Sequence, residues 1–423
     1  MRHEKSGGLL AVRKRRNYGS TLCYNVVHLF SQSYMYFNQG EELAAKTAPR
    51  QLWGRSERRQ RGANGRAAGR HLTSLRWIMV LLHYGLLMLV ARVLSELYLR
   101  FILLGKVNAN ARRRPLPLAV AHRCGGGRAP ENTLAAADNA IEEGGTETWL
   151  QVDVLLTGDG VPICLHEQGN ERNLERMTGL DLTPQDLHSA RLPPLRNVLR
   201  PNLMCDQSIT IETSQHGADG SRLCTLDEIF ARVGRRTHCL VELWGPPSEA
   251  LVDAVAALVR THQRESVTVL GHPFDTRIAH LLDVRAPDVR RMFHLGELCG
   301  YAASYWMGLL PLRTPPSAQR RIYSTPLPVL EAWVDLLARA SGGAGPFKRL
   351  LFYSVLALLR ALLAAPPLIA YMRAHRLWTC AWLLNTPDAW SDGCALGVDG
   401  IMTDFVAGYT EWATARGGRG MRA

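Results

Sequence analysis

Close cysteine pairs are missing. Nine cysteines are spread from Cys23 to Cys394, and no two stand in a Cys-x-x-Cys or other zinc-binding spacing. A structural zinc module is therefore excluded. The odd number leaves at least one thiol free, and several fall in apolar runs where a small core residue is expected. No Asn-x-Ser/Thr sequon occurs, so glycosylation gives no sign of the compartment. Acidic residues are scarce at the N-terminus: residues 1–76 hold 15 Lys+Arg against 4 Asp+Glu, whereas the other 347 hold 35 against 33. The basic character thus belongs to an arm, and the rest of the chain is nearly neutral. That neutrality, and the lack of any RNA- or DNA-binding motif, argue against a nucleic-acid partner.

Long apolar runs are also limited. Trp77 to Ala91 is apolar apart from His83, but Arg92, Glu96 and Arg100 interrupt a stretch that continues to Leu104. A membrane span needs about 20 apolar residues. This one reaches that length only if the arginines snorkel or pair with Glu96. Residues 75–97 are expected to form a single span, or else an interfacial or buried helix. The run starts too far into the chain to be a signal peptide. Eight arginines from Arg50 to Arg76 precede it. This bias predicts a single-pass protein with a cytosolic N-terminus and its main domain in the lumen or outside. A second apolar region, Leu350 to Met372, has Arg360 at its centre and is broken by Pro366-Pro367. It is expected as a helix of the outer layer or one that dips into lipid, rather than a span.

From residue 116 onward short apolar runs alternate with helical stretches. Strands are expected at 116–121, 149–155, 161–165, 238–243, 267–271, 289–293, 378–384 and 399–403. Helices are expected at 132–143, 225–233, 247–262, 274–283 and 328–340, and within 350–372. Eight strands in this order predict an α/β fold, a closed (β/α)8 TIM barrel of parallel strands. His122, Asp153, His166, Glu242, His272, Asn385 and Asp404 fall at or near strand C-termini, the face where such barrels carry their sites. The domain plan is a disordered arm (1–74), a membrane anchor helix (75–104), the barrel (116–412) and a tail (413–423). Residues 168–224 form a small inserted subdomain, and 300–374 an apolar insertion.

The richest local signal is Ala121-His-Arg-Cys-Gly-Gly-Gly-Arg-Ala-Pro-Glu-Asn-Thr133, between a strand and a helix. The tight turn lets backbone approach an anion, Arg123 can fork onto phosphate oxygens, and His122 can move a proton near neutral pH. Further on come Gln151-Val-Asp153, Thr157-Gly-Asp-Gly160, His166-Glu167 with Arg172, Thr225-Leu-Asp-Glu228, Glu242, Trp382 with Asn385, and Gly397 to Asp404. Together and in this order they resemble the glycerophosphodiester phosphodiesterase family over residues 116–405. The late apolar insertion makes the chain most similar to the family's single-span animal members.

The resemblance implies hydrolysis of glycerophosphodiesters, carrying inositol, choline or ethanolamine, to glycerol phosphate and an alcohol. His122 and His166 would be the catalytic acid and base. Arg123 and Glu131 would meet the substrate, and Gln151, Asp153 and Glu242 would hold Mg²⁺ or Ca²⁺. It also implies that the substrate's own glycerol hydroxyl attacks first, giving a cyclic phosphate. Three departures bear on activity: Gln151 replaces a carboxylate, Trp244 a lysine and Cys124 a glycine. Two alternatives stand beside this reading. One is a lysophospholipase D, with residues 301–311 and 350–372 admitting an acyl chain. The other is a catalytically impaired barrel that binds phosphodiesters. Membrane lipid is the second expected partner.

Overall fold

A computed structural model describes residues 116–167, 172–201, 209–312, 321–326 and 345–416, parts of 83–97, and positions 334 and 338. The chain divides into one unit of Met1–Arg76 with Trp333–Val355 and another of Trp77–Ala332 with Leu356–Ala423. The second holds the barrel. The expected arm, the tail beyond residue 416, most of 75–104 and nearly all of the expected helix at 328–340 lie outside the described residues, and the first residues of the expected tail continue the last barrel helix.

Eleven strands are described: β1 Leu118–Ala121, β2 Trp149–Leu156, β3 Pro162–Cys164, β4 Val198–Leu199, β5 Ile211–Glu212, β6 Cys239–Leu243, β7 Thr268–Gly271, β8 Arg290–Met292, β9 Arg321–Pro326, β10 Thr379–Trp382 and β11 Gly400–Thr403. Eight of them, β1, β2 and β6 to β11, pair in parallel. The first strand pairs with both the second and the last, so the sheet closes into the expected (β/α)8 barrel. Closure is visible inside as well. Val120, Trp149, Leu240, Val269, Met292, Ile322, Cys380 and Met402, one from each barrel strand, form one buried cluster. Below it the rings of His238, Trp149 and Trp378 stack, with centroids 4.5 and 4.0 Å apart. Gly400 makes room for this plug, because a Cβ there would lie 2.5 Å from the Trp378 ring.

The strand set differs from expectation in one exchange. The run at 161–165 is β3, but it pairs antiparallel to β2 and lies outside the ring. The missing barrel strand is β9, which joins β8 to β10. Its sequence, Arg-Ile-Tyr-Ser-Thr-Pro, has no apolar run to announce it.

The outer layer comprises α1 Leu134–Gly144, α3 Leu226–Val233, α4 Glu249–Thr261, α5 Thr276–Arg285, α6 Leu295–Trp306, α8 Pro366–Ala374, α9 Pro387–Leu396 and α10 Val406–Ala415. Here α2 is Asn173–Thr178 and α7 is Pro346–Leu363. α3 shows why such segments become helices. Thr225 and Glu228 form a reciprocal capping box, and Leu226, Ile229, Phe230 and Val233 recur at helical spacing on the buried face. Between β3 and α3, Leu174, Met177, Leu187, Leu195, Leu199 and Leu223 share a separate apolar cluster with Leu155, Ile163 and Leu165.

Pro346–Ala374 is, by length and a mean hydropathy of 1.9, apolar enough to cross a membrane. It is two helices, however: α7 ends before Ala364-Ala365, and Pro366 starts α8 at its first turn. α8 buries Leu368, Ile369, Tyr371 and Met372. The helical residues 89–97 lie against α6. Arg92 donates to Glu96 (2.6 Å), to the Tyr305 hydroxyl (2.8 Å) and to the Tyr305 carbonyl (3.2 Å), and that hydroxyl donates to Glu96 (2.9 Å). Leu86, Leu87, Leu89, Leu94 and Leu97 point outward and are exposed. Arg92 and Glu96, two of the three charges that break the apolar run, are therefore engaged on the barrel side.

Candidate active site

All seven expected site residues come to the C-terminal mouth of the barrel. His122 follows β1, and its Nδ1 lies 2.7 Å from Asp404 Oδ1, just past β11. Asp404 is buried and fixed in turn: Asn385 donates to its Oδ2 at 2.6 Å, and its own backbone N–H donates to Asn385 Oδ1 at 2.9 Å. A carboxylate on Nδ1 puts the imidazole proton there and leaves Nε2 as the basic nitrogen. Asn385 is thus a local hydrogen-bonding residue, as its sequence position suggests, and Asp404 gains a role the sequence reading did not assign.

After His122 the chain turns sharply. Arg123 (φ 50°) and Cys124 (φ 62°) both take the left-handed conformation. Each costs about 1–2 kcal/mol for a residue with a side chain. The turn thus keeps its shape with cysteine at 124, and the strain sits beside the chemistry. Arg123 donates from its backbone N–H to Gln151 Oε1 (2.7 Å) and from Nη1 to Glu131 Oε1 (3.0 Å). Its Nε lies 3.6 Å from Asp153 Oδ2. Arg176 of α2 also donates to Glu131, at 2.6 Å. Burial alone would raise the Glu131 pKa, but Arg123, Arg176 and His166 outweigh it and hold the carboxyl below its ordinary value.

Asp153 is the hub. Gln151 Nε2 (2.7 Å) and Trp244 Nε1 (2.8 Å) both donate to its Oδ1, and Asn132 donates to its Oδ2 (3.0 Å). Asn132 has its other end fixed, since its Oδ1 accepts the Asp153 N–H at 3.1 Å. Burial pushes the Asp153 pKa up, yet the charges of His166, Arg123 and His122 win and lower it. Glu242 pairs in register with Asp153 on the neighbouring strand. Burial, then the Asp153 charge, push its pKa up to about 8 against the pull of Arg123.

His166 reaches the site from the end of the antiparallel strand, not from a barrel strand. The Leu165 N–H donates to the Asp153 carbonyl at 2.9 Å, which brings β3 back down to the mouth. Its Nδ1 lies 3.3 Å from Asn173 Nδ2. The Asn173 amide is oriented by Arg176 Nε, which donates to Asn173 Oδ1 at 2.9 Å. The Asn173 amide and Arg176 together hold the His166 ring in place. The sequence reading missed Asn132, Asn173 and Arg176. Asn132 had a signal, its place in Pro-Glu-Asn-Thr, whereas the other two are linked to the site only through the fold. His272 acts as a local cap: its Nδ1 accepts from the N–H groups of Phe274 and Asp275, at 3.1 and 2.9 Å.

The donor set suits a divalent cation in one respect and departs in another. Two buried carboxylates face each other, and among the described residues none hydrogen-bonds Glu242; a cation would relieve that repulsion. Gln151 is different. Its carbonyl already accepts the Arg123 N–H, so its NH₂, not an oxygen, faces Asp153. Among the described residues no group of three or more His, Cys, Asp or Glu side chains converges as an ion site. Asp153 and Glu242 are the carboxylates that could hold a cation, and Gln151 is not placed to offer it an oxygen.

Human lysophospholipase D GDPD1 is 26% identical over 294 residues, covering 70% of this chain and 85% of that protein. Human glycerophosphodiester phosphodiesterase 1 is 36% identical over 92 residues, covering 22% of this chain and 27% of that protein. Among solved structures, a glycerophosphoryl diester phosphodiesterase of Silicibacter pomeroyi aligns with 19% identity and a TM-score of 0.47, covering 72% of this chain and 95% of that one. The sequence profile of the Glycerophosphoryl diester phosphodiesterase family matches residues 122–407, which contain every site residue above, so this chain belongs to that family and is a phosphoric diester hydrolase.

Proposed function

We propose that this protein hydrolyses glycerophosphodiesters to glycerol phosphate and an alcohol, with His122 as general base and His166 as general acid. The observation that carries the assignment is that the Asp404 carboxylate holds His122 Nδ1 and leaves its Nε2 basic, while Asn173 and Arg176 hold the second ring, His166, at the same mouth. His122 removes the proton of the attacking glycerol hydroxyl, and His166 delivers one to the leaving alcohol. Microscopic reversal of those roles then opens the cyclic phosphate with water. Arg123, held between Glu131 and Asp153, supplies positive charge beside the phosphate. Asp153 and Glu242 would hold Mg²⁺ or Ca²⁺, which when bound neutralises phosphate charge.

The protein works at a membrane in this reading, single-pass, with its N-terminus cytosolic and its barrel lumenal or extracellular. The outward leucines of 86–97 support a lipid-facing helix. A lysophospholipid substrate is the second reading. It is supported by the exposed Trp306, Met307, Leu309 and Leu312 beside that helix, which would receive an acyl chain, and by the human relative's lysophospholipase D activity. The test uses the full chain in detergent with glycerophosphoinositol, glycerophosphocholine, glycerophosphoethanolamine and lysophospholipids, each with Mg²⁺, Ca²⁺ or EDTA. Release of glycerol phosphate that disappears in both His122→Ala and His166→Ala is expected. Release that survives in either variant refutes the assignment.

A further inference from the structure

The mouth of the barrel has two unlike walls. The side built on β1, β2 and β11 is charged and holds His122, Arg123, Glu131, Asp153 and Asp404. The other side is made of rings. His166 lies 4.4 Å from Trp244, Trp244 lies 4.6 Å from His272, His272 lies 6.2 Å from Phe274, and Phe274 lies 6.5 Å from Trp382. Trp244 follows β6, His272 and Phe274 follow β7, and Trp382 ends β10, so the arc follows strand ends round the mouth. Its inner members are covered, with Trp244 5% exposed, whereas Phe274 is 37% exposed and Trp382 is half-buried. Phe274 and Trp382 meet at 80°, and His272 and Phe274 at 75°, so the outer rings stand edge to face.

We infer that the outer end of this arc, Phe274 and Trp382 with His272 behind them, is a subsite for a quaternary ammonium head group on the leaving alcohol. The inference rests on the reading that His166 protonates the leaving oxygen. His166 heads the arc, so what is attached to that oxygen extends along the rings. Ring faces set at right angles attract a diffuse cation that is too large and weakly hydrated for a hydrogen-bonding site. No Lys or Arg belongs to the arc. Burial holds the His272 pKa down to about 4, so that ring adds no positive charge at neutral pH. Glu242, in register with Gly271 just before His272, puts a carboxyl group on the inner face beside the rings. A trimethylammonium group on a two-carbon arm matches this wall. A polyhydroxylated ring would find few hydrogen-bonding partners there.

The discriminating probe is a neutral isostere. The full-length protein in detergent is given glycerophosphocholine and its 3,3-dimethylbutyl analogue, which has the same shape without the charge. The parent is expected to prefer the choline diester by about 5- to 30-fold in kcat/KM, the size of one or two ring contacts with a desolvated cation. Phe274→Leu and Trp382→Leu are each expected to bring that ratio towards one. A parent ratio near one, or a ratio kept in both variants, overturns the subsite. Calorimetric titration of phosphocholine against 3,3-dimethylbutyl phosphate tests the same preference without turnover. If no diester is cleaved, the hydrolytic reading fails by itself and the titration alone decides the subsite. Equal binding of the two phosphates refutes it, and tighter phosphocholine binding that is lost in Phe274→Leu sustains it.

Discussion

Glu242 should make the metal-free protein lose stability as pH rises through neutrality. Its carboxyl is pushed from about 4.5 up to about 8 by burial and by Asp153. In the unfolded chain it ionises near 4.5, so between the two values the native state binds one more proton. Stability therefore falls with rising pH across that window and levels off above it. The interval, at about 1.4 kcal/mol per pH unit, amounts to a cost on the order of 5 kcal/mol at pH 8. Glu242→Gln keeps the shape and removes the charge. The measurement is urea unfolding at pH 5, 6, 7 and 8 in EDTA, parent against variant. The variant should gain increasingly over the parent from pH 5 to 8, and Ca²⁺ or Mg²⁺ added to the parent should flatten its slope. A variant no more stable than the parent at pH 8 would sink the argument that two uncompensated carboxyl groups share this pocket.

Asp404→Asn should lower kcat by roughly 10²- to 10⁴-fold, the usual worth of a positioned acid–base group, with little change in unfolding temperature; an unaltered kcat would show that His122 needs no orientation. Gln151→Glu should tighten divalent-cation binding measured by calorimetry and destabilise the metal-free form. Two charges about 4 Å apart at an effective dielectric near 20 interact by about 4 kcal/mol, and an unchanged affinity would remove position 151 from the ion's surroundings. Arg92→Ala should lower the unfolding temperature in detergent by the equivalent of about 1–3 kcal/mol, because it removes the charged hydrogen bonds to Glu96 and Tyr305. No change would mean that residues 89–97 are not held on α6 in solution.

Much of the barrel could be read from apolar runs, because strands buried on both faces carry them continuously. β2, with seven buried residues in eight, is the clear case. β9 escaped because its sequence, with Ile322 and Ser324 as the buried positions described, makes no apolar run. β3 misled for the opposite reason: its run is apolar, but periodicity carries no information on strand direction. The site residues were legible because proton transfer and phosphate recognition need particular side chains. Their supports were not. Nothing at position 244 says that an indole N–H meets Asp153, and nothing at 173 says that an amide holds the His166 ring. Such partners are chosen by spatial closeness, which the barrel creates between residues far apart in the chain.

The hydrogen bond between His122 and Asp404 crosses the seam where the first barrel strand meets the last, joining residues 282 apart in sequence. A nascent chain therefore carries its base from early in synthesis, but lacks the carboxylate that orients it until almost the end. Every stalled or truncated product that stops short of β11 is both an open sheet and a protein with an unaligned histidine. With His122 as the base, hydrolysis would begin only when the ring has closed, so that activity would report completion of the chain.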